Sequence, residues 1–405
     1  MTCSLQLFVC LATLAGAALA QAATDQTAES TASTSSPVAY VYVARPTHID
    51  GFAASSRGKL TPVPGSPFSN IAVSHLSVNK KYLFGPGDNG GPDCGGPDPV
   101  CSWDIYTYSI ASNGALKQAA VINPYKYGPT DCFAVGPTQI DATGTTLYND
   151  ALNCDGDDQY VQSFKIEANG ELQFLASEDS GAVEGEGFLS PMVVLGNNKY
   201  AYQTGCDGYG PSLEVIGLKR ESNGAVAHAG SLIESPKGKT PEDIYCASGV
   251  LAADPTDHLA FALQDTNNNY AGPIVLASYT ADSEGNLTTK ATYENMPSSG
   301  IGFIGAMSIS PSGKLLAVGG GGQNVDSGPG FQIFHFNGSS PITHYSAVLQ
   351  PDISFQQFAW DGDNHLYALG GGKLFVYTVT SASLKEASGS PYSIPESSSV
   401  IVLTK

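Results

Sequence analysis

The chain has 405 residues, 42% apolar and 14% charged, and its 18 Lys and Arg against 37 Asp and Glu give a net charge of −19. The apolar share is enough for a core, which excludes global disorder. A surface this acidic, with only three arginines (Arg45, Arg57 and Arg220), excludes nucleic acid as a partner and argues against anionic membranes and multi-arginine clamps.

In chain order, residues 1–20 carry no charged side chain, and the apolar run Leu5 to Leu19 ends in Ala18-Leu19-Ala20. This reads as a secretory signal cut after Ala20. Residues 21–37, QAATDQTAESTASTSSP, have almost no large apolar side chains and read as a flexible Ser/Thr-rich leader suited to O-glycosylation. No later stretch is long enough to span a bilayer. The expected location is secreted, extracellular or in a cell wall. Cys3 and Cys10 would leave with the signal, and six cysteines would remain: Cys94, Cys101, Cys132, Cys154, Cys206 and Cys246. An even number in an exported chain suggests three disulfides, for which fifteen pairings can be drawn. The sequons at Asn286 and Asn337 are candidate glycosylation sites. Together these features favour a fungal secreted protein.

Residues 38–405 read as one domain. The chain carries 46 Gly, 25 Pro, 20 Tyr and 16 Phe, an all-β mix of turn formers and aromatics. A turn recurs at Arg57-Gly58-Lys59-Leu60, Asn113-Gly114-Ala115-Leu116, Asn169-Gly170-Glu171-Leu172, Asn223-Gly224-Ala225-Val226 and Glu284-Gly285-Asn286-Leu287. Degenerate copies follow at Asn337-Gly338-Ser339 and Ser381-Ala382-Ser383-Leu384. Glycine suits these hairpins because it accepts positive φ. A short strand precedes each turn, as at Asp104 to Tyr108, Gln162 to Ile166 and Phe331 to Phe336. A second strand recurs seven times, beginning with Tyr40-Val41-Tyr42-Val43 and ending with Leu366-Tyr367-Ala368-Leu369. Four strands in each repeating unit, seven units in all, predict a seven-bladed β-propeller. The first unit lacks its innermost strand, and the terminal strand Val400-Ile401-Val402-Leu403 is expected to supply it and close the ring.

Several stretches resemble the lactonase-type seven-bladed propellers. They are Gly58-Lys59-Leu60-Thr61-Pro62-Val63, Gly65-Ser66-Pro67-Phe68, Ser388-Gly389-Ser390-Pro391-Tyr392 and the blade Ser310-Pro311-Ser312-Gly313-Lys314-Leu315-Leu316-Ala317-Val318. That superfamily includes 6-phosphogluconolactonase and the fungal 3-carboxy-cis,cis-muconate cyclase. The resemblance implies a lactone hydrolase or a muconate cyclase acting on a small carboxylated or lactone substrate at one face of the ring, without a cofactor. The motifs shared are turns and strands, so they speak for the fold more than for an activity. The alternative is a non-catalytic extracellular adhesin or antigen that binds protein or glycan. A monomer is expected in either case.

With strands a to d in each blade, the a–b and c–d turns are tight, and the length variation falls in the b–c and d–a loops. Insertions gathered on one face mark a binding face. All six mature cysteines fall there too, and their positions suggest the pairs 94–101, 132–154 and 206–246, while both sequons fall on the opposite c–d turns. His75 stands at the loop-side entrance of an inner strand and Arg45 ends a strand of the neighbouring blade, so the pair could protonate an intermediate and hold a carboxylate. Glu186 and Glu242, in d–a loops with Glu184, Asp243 and Glu396, are candidates for a general base. The other six histidines (His48, His228, His258, His335, His344 and His365) read as structural or solvated. The oxygen-rich stretches Asn153 to Asp158 and Asp265 to Asn269 offer Ca²⁺ ligands without EF-hand spacing. The run Gly319 to Gly322 leads into neither a helix start nor a Lys-Ser/Thr pair, so it is no phosphate loop.

Overall fold

The computed structural model describes residues 36–405 apart from 69–72, 89–102, 129–132, 154–158, 181–189, 205–212, 214, 231, 241–242, 266–271, 323–326, 363–364 and 381–382. Seven antiparallel sheets follow one another, and in blades 2 to 7 the innermost strand comes first. The innermost strands of blades 2 to 7 are Ser77–Val78, Phe133–Ile140, Val193–Val194, Ile244–Ala253, Phe303–Ile309 and Phe355–Trp360. Blade 1 takes its innermost strand, Ser399–Thr404, from the far end of the chain. The expected seven-bladed propeller, and its closure by the terminal strand, are both present.

The second strands explain why these residues fold this way. In Ala39–Arg45 nearly every residue is buried, because both faces of the strand are covered. Tyr40, Tyr42 and Ala44 pack toward blade 2, while Ala39, Val41 and Val43 pack toward blade 7. The same division holds around the ring, so the core is a series of apolar seams, each between two neighbouring blades. A strand covered on both faces shows no polar alternation.

The recurring glycine is set by the neighbouring blade. Gly58, Gly114, Gly170, Gly224, Gly285 and Gly338 all have positive φ. A Cβ on Gly114 would stand 2.6 Å from the Tyr40 ring of blade 1. One on Gly170 would stand 2.8 Å from Tyr82 of blade 2, and one on Gly285 2.6 Å from Tyr200 of blade 4. These tyrosines also donate to carbonyls of the same turns, Tyr40 to Ser112 O, Tyr82 to Ala168 O and Tyr200 to Ser283 O, and three further second-strand tyrosines do likewise. Tyr42 reaches Gly114 O at 2.9 Å, Tyr148 reaches Gly224 O at 2.8 Å and Tyr202 reaches Gly285 O at 2.8 Å.

The closing strand is clasped from both sides. Ser399 Oγ accepts from the Leu76 amide of blade 2 at 3.1 Å, and Gln357 of blade 7 accepts from the Val400 amide at 2.7 Å. The two Gly-Ser-Pro copies play matching parts. Ser66 Oγ accepts from Gly51 N and Ser390 Oγ from Val376 N, each at 2.9 Å.

Gly114→Ala should destabilise the protein by about 2 kcal/mol or more, because the new Cβ meets both positive φ and the Tyr40 ring. Tyr40→Ala removes the clash but not the φ strain, so the double variant should lose less than the two single losses added together. Urea denaturation of the four proteins checks this; strict additivity would refute the latch.

Candidate functional site

The innermost strands of blades 2 to 7, with His75, Leu76 and Pro191 just ahead of two of them, and Ile401 of the closing strand line a cavity of about 540 Å³ on the ring axis. Its polar wall consists of Ser77, Thr138, Gln139, Ser308, Gln356 and Gln357, together with His75 at the loop-side mouth. Among the described residues His75 is the titratable side chain of this wall. The strands themselves fix the site: Ser77 Oγ and Thr138 Oγ1 lie 2.9 Å apart and tie blade 2 to its neighbour, blade 3.

The His75 imidazole is half-buried, with Nδ1 3.2 Å from Ser74 Oγ. Burial removes water from the ring and lowers its pKa below the usual 6.5. At neutral pH the ring is therefore uncharged. In that form it can take a proton.

Arg45 ends the second strand of blade 1 opposite His48. Its guanidinium pairs with Asp50 at 3.4 Å, and His48 Nε2 lies 3.6 Å from the same carboxylate. Among the described residues no hydrogen bond or ion pair joins Arg45 to His75, and Arg45 is not part of the channel wall. Arg45 Nε is buried without a partner. Glu186, Glu242 and Glu184 lie outside the described residues. Asp243 accepts from the backbone and hydroxyl of Thr240, and Glu396 is exposed. Cys94, Cys101, Cys132, Cys154 and Cys206 also lie outside the described residues, as does the side chain of Cys246. The two candidate Ca²⁺ stretches fall almost wholly there too. Among the described residues no three His, Cys, Asp or Glu side chains gather as a metal site, and no helix is long and apolar enough to cross a membrane.

Asn337 is exposed on its c–d turn. Asn286 is half-buried, with its amide donating to Asp282 and accepting from Leu232 N. His258 and His365 sit on the tight-turn face, each with Nδ1 on a carboxylate: Asp254 at 3.2 Å and Asp361 at 2.7 Å. Both have the structural role expected.

Sequence reasoning missed two kinds of residue. The first is the lumen glutamines. Phe355-Gln356-Gln357-Phe358 sets two amides in a strand whose neighbours are buried aromatics, and that break in apolarity was the available signal. The second is Asp150, one layer behind the wall. It is wholly buried, and it accepts from Met192 N at 3.0 Å and from Gln203 Nε2 at 3.2 Å, joining blade 3 to blade 4. Burial pushes its pKa up to about 7, against a smaller lowering by the Met192 amide. Nothing in the sequence around Asp150 distinguishes it from a loop carboxylate.

No family model matches the chain, and no curated protein matches it. Among solved structures it is similar to a functionally unknown protein from Desulfotomaculum acetoxidans, with TM-score 0.53 and 11% identity over 89% of this chain and 98% of that one. It is also similar to a puromycin hydrolase, with TM-score 0.50 and 8% identity over 88% of this chain and 53% of that one. The periplasmic gluconolactonase of Pseudomonas aeruginosa superposes more loosely, with TM-score 0.39 and 14% identity over 90% and 99%. At such identities the likeness is one of fold.

Asp150 gives stability an unusual pH slope. Its native carboxyl holds a proton up to about pH 7, whereas the ordinary value is 3.8. Between these limits the native state binds more protons than the unfolded one, so this group's contribution falls as pH rises. Asp150→Asn should gain stability relative to wild type as pH goes from about 4 to 7, by up to a few kcal/mol. Melting curves across that range check it; parallel slopes in the two proteins would contradict the assignment.

Proposed function

We propose that the channel mouth is the functional site and that the protein hydrolyses a small lactone there, with His75 as general base. One observation carries this reading: an uncharged imidazole stands at the mouth of a cavity of small-molecule size. His75 takes a proton from water as the oxygen attacks the lactone carbonyl. The ring C–O bond then breaks, and the imidazolium returns the proton to the leaving alkoxide, giving the hydroxy acid. The amide of Gln356 and the hydroxyls of Ser77 and Thr138 are the wall's candidates for steadying the oxyanion. The uncharged wall favours a neutral lactone. A carboxylated substrate, or the cyclase reaction, would draw Arg45 away from Asp50, and Glu186 and Glu242 remain the candidate acidic partners.

The scarcity of charge in the wall favours one other reading, a non-catalytic propeller that binds protein or glycan. In both readings we take the chain to be exported, on the strength of residues 1–20, the even cysteine count and the two sequons.

A panel of γ- and δ-lactones, assayed with wild type, His75→Gln and Arg45→Ala, tests the proposal. His75→Gln should lose about 10²–10⁴-fold in kcat/KM. The wild-type profile should be flat at neutral and alkaline pH and fall on the acid side below 6.5, as His75 becomes protonated. Arg45→Ala should leave neutral lactones unaffected and raise KM for carboxylated ones. Equal, negligible turnover by all three proteins would remove the enzyme reading.

A further inference from the structure

A second hollow opens on the loop face between blades 6 and 7, with a volume of about 620 Å³. It shares Gly305 and Gln356 with the channel but runs outward along the seam. The run Gly319–Gly322 explains why it exists. A Cβ on Gly319 would stand 2.5 Å from Phe358 of blade 7, and one on Gly320 would collide with the Phe303 carbonyl. These two glycines let strands and blades close up. Gly321 and Gly322 continue the run into the hollow itself, where they leave a floor of bare backbone.

Phe303 forms one wall and is 50% exposed. It is the one exposed Phe, Tyr or Trp ring among the described residues, whose other phenylalanines are buried or half-buried. The opposite side presents Asp352, Ser354 and Gln356, all exposed. A flat apolar wall facing a hydroxyl, an amide and one carboxylate, over open backbone, matches a ring that is apolar on its face and hydroxylated at its edge. With no cation among the described residues of the lining and a net charge of −19, an anionic ligand is disfavoured. Phe303 is the one ring of the described lining open to a ligand, since Phe355 is buried, and one ring is too few to cage a quaternary ammonium, which several rings usually enclose.

We propose that this hollow binds a neutral saccharide, with one pyranose ring lying on Phe303 and its hydroxyls bonded by Asp352, Ser354 and Gln356. The hollow shares Gln356 with the channel, and its test reads sugar binding alone, so its outcome is separate from that of lactone hydrolysis.

The probes are glucose, mannose, galactose, N-acetylglucosamine and cellobiose, with galacturonate, choline and indole as controls. Saturation-transfer NMR and calorimetry are run on wild type, Phe303→Ala, Gly321→Val and His75→Gln. Gly321 lies outside the positive-φ region, and its Cβ would stand 3.4 Å from Ser354 Oγ, so valine should fill the hollow without unfolding the blade. At least one neutral sugar should bind wild type and His75→Gln alike, and about tenfold more weakly to Phe303→Ala and Gly321→Val, all four proteins melting cooperatively. Absence of binding by any neutral sugar overturns the proposal. So does sugar binding indifferent to Phe303 and Gly321, or a preference for choline, indole or galacturonate.

Discussion

The structure depends on a latch between neighbouring blades. Tyrosines near the start of the second strands reach the c–d turn of the next blade: the rings of Tyr40, Tyr82 and Tyr200 lie over its glycine, and Tyr42, Tyr148 and Tyr202 donate their phenolic protons to its carbonyl. For the ring to lie flat, that turn must present no Cβ, and its backbone must adopt positive φ; glycine meets both demands. The phenols are buried, and burial raises the pKa of Tyr42, Tyr148 and Tyr202. They therefore stay protonated and remain donors. A four-stranded sheet with both faces apolar cannot persist alone in water, so each blade is stable only against its neighbours.

Closure follows from the same constraint. A row of such blades would end in two apolar faces and open strand edges. Ser399–Thr404 returns to the innermost place of blade 1 and joins the head of the chain to its tail. Gln357 and Ser399 then bridge that strand to blades 7 and 2. The rigid ring gathers the polar side chains of the innermost strands around one axis, which makes a cavity out of strands far apart in sequence.

Electrostatics differ between the two ends of the ring. At the tight-turn face Asp141 is buried, which alone would raise its pKa. Hydrogen bonds from Thr143, Thr146, Thr145 and Asn198 outweigh that and hold the pKa below the usual value, and Arg220 of blade 4 pairs with the carboxylate at 2.9 Å. Toward the channel Asp150 has fewer donors, and burial prevails. Two carboxylates of one blade thus respond to pH in opposite directions because of the number of donors each receives.

The sequence alone determined the architecture. Glycine turns at near-regular spacing, apolar second strands and an unmatched terminal strand can each be read locally, because each records a backbone conformation or a burial pattern. It also marked His75 and the loop face, since insertions collect where the ring does not constrain the chain. Only the tertiary structure decided what those residues meet. It set His75 in the channel wall and Arg45 on Asp50, turned Gln356 and Gln357 toward the lumen, buried Asp150 between two blades and left Phe303 bare over a glycine floor. These are contacts between strands from different blades, remote in sequence, and no periodicity along one strand encodes which neighbour will face it.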